Sequence, residues 1–103
     1  MHYKLIISER AELHIDNILD YVVNTLKNPG AAKAILSDIE EAYNRLEYMA
    51  ETFGYCNDNF LADHGYRKIA LSGHDYLILY RVKGTEVHIS GVFHMRENYA
   101  RKL

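Results

Sequence analysis

The side chains able to move protons or hold phosphate crowd into one end of the chain. Residues 64–103 carry seven Lys/Arg against three Asp/Glu, with four of the six His, whereas residues 1–63 carry five Lys/Arg against eleven Asp/Glu. A chain of net charge −2 is thus split into an acidic part of −6 and a basic part of +4. Such asymmetry points to a polyanionic or acidic partner for the basic half. Within that half, His94 stands two residues before Arg96 at the end of an apolar run, and histidine donates or accepts a proton near neutral pH. His74 falls in the turn Ser72-Gly73-His74-Asp75, where a solvated role is expected, and His64 and His88 read as surface residues. Tyr99 lies in a polar, basic tail and is a candidate for function or partner contact, with Leu103 as a further anchor. Tyr66, Tyr76 and Tyr80 read as sheet or core tyrosines. Cys56, His64 and His74 are scattered without paired ligand spacing, so no metal and no cofactor is expected. The lone Cys56 offers no disulfide, which suits a reducing cytoplasm.

These groups need a scaffold, and the apolar pattern supplies one. At 103 residues the chain holds a single domain, 1–103. Tyr3-Lys4-Leu5-Ile6-Ile7 is a short β-prone run, and Ser8 is a natural helix cap. Ile15, Ile18, Leu19, Val22 and Leu26 then recur at helical spacing. Asn28-Pro29 stops that helix and starts another, because Pro is tolerated in a first turn. Its stripe is Ala32, Ile35, Leu36, Ile39, Tyr43, Leu46 and Ala50. Two helices with so short a link form an antiparallel hairpin. Glu51 to Gly65 lacks periodicity and reads as a loop. Strands follow at 66–72, 76–82 and 87–93, with turns at Gly73 and Gly84. No run of 18 apolar residues suggests a membrane span, and the N-terminal apolar stretch is too short for a signal peptide.

The expected fold is α+β in the order β-α-α-β-β-β. A helical hairpin covers one face of a small, mostly antiparallel sheet that the first strand joins. The other face is expected to stay open, and function is sought there. Strand alternation puts Arg67, Ile69 and Leu71 on one face and Tyr66, Lys68 and Ala70 on the other. Arg67 is expected to pair with an acidic helix residue. Arg81 and Leu77 share a face, which could be the open one.

The order of elements, with Gly65-Tyr66-Arg67-Lys68, Tyr76-Leu77-Ile78-Leu79-Tyr80-Arg81-Val82 and Val92-Phe93-His94-Met95-Arg96-Glu97-Asn98-Tyr99, resembles the RelE/ParE toxin superfamily over essentially the whole chain. The resemblance implies a bacterial toxin neutralised by a cognate antitoxin protein, with one of two lethal activities. RelE-like members cut mRNA in the ribosomal A site, and ParE-like members poison DNA gyrase by binding. Fold alone does not separate the two.

RNA cleavage requires a base for the 2′-OH, cations for the phosphate and an acid for the leaving oxygen. What the resemblance implies for those roles is Lys68, Arg81, His94, Arg96 and Tyr99. Two further positions where RelE-like nucleases place cations are Ala70 and Leu77 here. That loss favours a ParE-like gyrase poison, with a ribosome-dependent mRNA endonuclease as the alternative. A third option is a degenerate toxin that only binds its antitoxin as a co-repressor. The net acidity also weighs against a ribosomal ligand.

Overall fold

In the computed structural model, which describes residues 2–102, the chain enters the sheet as strand β1, Lys4–Ile7. Ser8 then caps helix α1, Glu9–Asp20, its hydroxyl accepting from the Ala11 N–H at 3.0 Å. The helix does not end at Asp20 but widens into a π-helical turn, Tyr21–Thr25, in which the Leu26 N–H donates to the carbonyl of Tyr21. A π turn holds more residues than an α turn, so it shifts the phase of the apolar stripe. Val22 stays buried while Leu26, expected in the core, is 55% exposed. Helix α2, Pro29–Met49, opens on Asn28, whose Oδ1 accepts from the Ala31 N–H at 3.1 Å. Its stripe is buried at Ala32, Ile35, Ile39, Ala42 and Leu46, but Leu36 turns outward.

Glu51 to Gly65 is not the featureless loop the composition suggests. Asp58 caps a short helix α3, Asn59–Asp63, through the Leu61 N–H at 3.0 Å. Gly65, at φ +81°, turns the chain out of it. Before that helix, Tyr55 bridges antiparallel to Arg67. Strands β2 (Arg67–Ala70), β3 (Tyr76–Lys83) and β4 (Glu86–His94) form the meander. The sheet order is β1-β4-β3-β2, with β1 parallel to β4 and the other two pairings antiparallel.

The main core lies between the helices and one sheet face. Ile69, Leu71, Ile78, Tyr80, Val87, Ile89 and Val92 meet Ala11, Val22 and the α2 stripe there. Tyr80 is completely buried, and its hydroxyl donates to the Ala50 carbonyl at 2.6 Å, tying the end of α2 to the sheet. The opposite face carries a second, smaller core of Cys56, Leu61, Leu77, Leu79 and Phe93, flanked by Tyr66, Tyr99 and Ala100. The face expected to be open is therefore partly roofed by α3 and by a 3-10 turn at Tyr99–Lys102. The reason is hydrophobic: Leu77, Leu79 and Phe93 would otherwise leave a large apolar patch in water. Leu103 lies outside the described residues. Among them, no helix is long and apolar enough to cross a membrane.

A bulge shapes β4. Leu79 pairs with Gly91 but Tyr80 with Ile89, so Ser90 is an extra residue. Next to it, a Cβ on Gly91 would stand 2.6 Å from the Phe93 ring and 3.0 Å from His14 Nδ1, so only glycine fits.

Candidate functional site

Residues on the second face are positioned by strand alternation, yet they do not form one constellation. Lys68 sits directly opposite Leu79 and borders a cleft of about 490 Å³ with Arg45, Phe53, Tyr55 and Ala70. Arg81 borders a different cleft, of about 420 Å³, with Ser8, Arg10, Tyr66 and Ser90. Tyr99 borders a third with Asp58, Met95 and Glu97. It packs on Phe93 at 5.9 Å between ring centroids, and burial raises its hydroxyl pKa. All three adjoin the smaller core of Leu77, Leu79 and Phe93, Lys68 opposite Leu79 and Tyr99 against Phe93.

His94 points elsewhere. It pairs with Tyr76 across the strands, edge to face at 5.3 Å, and alternation puts it on the face opposite Phe93. Its Nδ1 accepts from the Arg96 N–H at 3.1 Å. Arg96 itself is exposed in the turn beyond β4. Of the five expected groups, Lys68, Arg81 and Tyr99 thus share a face but line separate clefts, while His94 and Arg96 lie away from them. Leu77, at one position where a nuclease would place a cation, is only 5% exposed. Cys56 is buried, and burial raises its thiol pKa although the Lys68 charge opposes this.

Other polar residues turn out to be structural. Among the described residues Arg67 pairs with no helix carboxylate. Its guanidinium donates to the carbonyls of Glu51 and Phe53, at 3.3 and 2.6 Å, and lies 4.1 Å from the centre of the Tyr55 ring. It thereby holds the approach to α3. His74 is not a free turn residue either. Its Nδ1 meets Asp38 Oδ2 at 2.6 Å, and the Gly73 N–H donates to the same carboxylate. The His74 hydrogen bond lowers the Asp38 pKa, helped by that N–H and opposed by burial. The β2–β3 turn is fastened to α2 in this way. His64 is exposed and His88 half-buried, as a surface role implies.

Two residues escaped sequence reasoning. His14 of α1 stacks on Phe93 at 4.7 Å, and its Nδ1 accepts from the Val92 N–H at 3.2 Å. Burial, then the Arg10 charge, lowers its pKa. Its spacing from Ile18 and Ala11 places it on the inward side of α1, which was the available signal. Arg10 lies in the first turn of α1 beside two acids, Glu9 and Glu12, and nothing local marked it. It borders the same cleft as Arg81, next to Ser8, which is anchored at the bulge: the Ser8 N–H donates to the Ile89 carbonyl and its hydroxyl to that of Ser90.

Comparison with known proteins agrees with this architecture. The family described as ParE toxin of type II toxin–antitoxin system, parDE, matches residues 5–99. A solved chain from the chromosomal ParDE TA system of P. aeruginosa superposes with a TM-score of 0.74 at 25% identity, covering 90% of this chain and 96% of that one. Among curated proteins nothing matches.

Proposed function

Because this chain belongs to the ParE toxin family of type II toxin–antitoxin systems, we propose that it arrests growth by gripping a protein target rather than by cutting RNA. The target is DNA gyrase, and a cognate antitoxin encoded beside it relieves the arrest. One observation carries the reading: Lys68, Arg81 and Tyr99 border three separate clefts, with His94 on the far face. General acid–base catalysis requires a proton donor and acceptor within about 2.6–3.2 Å of the reacting atoms. Side chains that turn into separate clefts do not converge on one phosphate. A toxin that acts by binding has no such requirement.

The test runs two reactions side by side with the intact chain. Inhibition of supercoiling by purified gyrase, with A-site mRNA left whole on programmed ribosomes, is the expected result. Clear A-site cleavage with unimpaired gyrase would overturn the reading. Expression alone should also stop growth, and co-expression with the neighbouring reading frame should restore it. A culture that grows normally under strong expression would point instead to a degenerate toxin.

A further inference from the structure

The cleft bordered by Arg81 collects positive charge that no carboxylate among the described residues answers. Arg81 lies on β3 with its guanidinium 4.7 Å from the centre of the Tyr66 ring. Its Nε is sealed from solvent without a hydrogen-bond partner, whereas its Nη nitrogens are outside that sealed set. Arg10 comes to the same cleft from α1, and the remaining lining is Ser8, Ser90 and Tyr66. Among the described residues neither arginine makes an ion pair, and Glu86, two residues along the strand from His88, is engaged by it at 3.1 Å. Two guanidinium groups without a carboxylate, one of them with its Nη nitrogens left for a ligand, form an incomplete charge-assisted site.

We propose that this cleft is a receptor for a carboxylate, delivered by an acidic segment of the antitoxin. The inference rests on the antitoxin-controlled reading above and adds the place and chemistry of the contact. Its surroundings favour a peptide over a nucleic acid. Tyr66 runs from the cleft into the apolar core of Leu77, Leu79 and Phe93, which suits a segment carrying acidic and apolar side chains in turn. A continuous phosphate backbone would instead meet a chain of net charge −2. The Tyr66 ring backs the Arg81 guanidinium at 4.7 Å, and its Nη nitrogens can pair with a carboxylate in bidentate fashion. The Ser90 hydroxyl, brought there by the β4 bulge, adds a donor.

The experiment titrates the full-length chain, labelled with ¹⁵N, with a tetraglutamate peptide and in parallel with the single-stranded tetranucleotide dT4. The arginine Nε–H signals are followed by NMR. The peptide should shift the Arg81 and Arg10 signals and leave Arg96 and Arg101 in place. Arg10→Gln and Arg81→Gln should each weaken peptide binding roughly 10- to 100-fold, as loss of a charged hydrogen bond implies, while Arg96→Gln changes nothing. Arg10 is exposed, so its variant remains informative even if Arg81→Gln fails to fold. Absent shifts at both arginines, peptide binding indifferent to Arg10→Gln, or tighter binding of dT4 at the same signals would each overturn the proposal. Gyrase inhibition measured on the same samples separates the two claims. Inhibition with an indifferent cleft sinks only the carboxylate site, and a responsive cleft without inhibition sinks only the choice of gyrase.

Discussion

Ile78 and Leu79 are neighbours on β3, both completely buried, yet they belong to different cores. Ile78 faces two capped helices that supply a deep layer of aliphatic side chains. Leu79 faces one five-residue helix and a 3-10 turn. The first face fixes the fold. The second is just apolar enough to need a cover and leaves unpaired cations at its rim, so it can still accept another chain. Burial of single residues does not distinguish the two faces; the thickness of what lies over them does.

The largest effect should come from emptying each core in turn. Ile78→Ala should cost about 4 kcal/mol and Leu79→Ala about 2–3 kcal/mol, because a thin roof collapses into the cavity more readily than a helix pair. Urea unfolding of the two variants measures this directly. A Leu79→Ala loss equal to or above that of Ile78→Ala would make the two faces equivalent.

A middle-sized effect separates two tyrosines of the helix-covered side. Tyr80→Phe strips the Ala50 carbonyl of its donor and should cost about 1–2 kcal/mol. Tyr43 also has a buried hydroxyl, but one with no partner, and burial raises its pKa to about 12. Tyr43→Phe should therefore be neutral or stabilising by up to about 1 kcal/mol. Equal losses at both sites would show that the hydroxyls do not matter in the way described.

The smallest effect concerns His14, which couples the two faces through Phe93. Its pKa is lowered on folding, so the neutral ring is the form the fold prefers. That contribution is complete above the unfolded value of about 6.5 and is lost as pH falls through the depressed folded value. Thermal midpoints of the wild-type chain should thus drop between neutral and mildly acidic pH, and the drop should be shallower in His14→Gln. The same slope in both proteins would remove His14 from the account. Asp38 and Glu97, whose pKa values are also lowered, act only at more acidic pH.

The two faces also differ in how legible they were. The helix-covered face was readable because its signals are local: Ser8 and Asn28 as caps, and aliphatic residues at helical spacing. Leu26 misled because a π turn has no period of its own to detect. The second face depends on contacts between distant segments. Leu61 is the lone fully buried residue of a five-residue helix, too little for a periodic signal. Arg67 bonds to loop carbonyls whose path no residue type announces. Arg10 and Arg81 come to border one cleft through the fastening of Ser8 at the Ser90 bulge. Alternation did set Lys68 apart from Arg67 and put Arg81 with Leu77, but it could not tell that Lys68 and Arg81 would border separate clefts.

The pairing of β1 with β4 has a consequence for the order of synthesis. Ser8 touches Ser90 across 82 residues of sequence, and β1 has no other strand beside it. Contacts this distant close slowly, since the chain must surrender its loop entropy first. The first strand to leave the ribosome therefore waits for the last. Until residues of β4 emerge, β1 has no ladder, α1 lacks the strand it packs on, and nothing fastens Ser8 and Arg10 beside the cleft that Arg81 borders. A chain cut before β4 keeps its helices and the β2 and β3 segments, but it has neither the Ser8–Ser90 contact nor the bulge that completes the cleft bordered by Arg10 and Arg81.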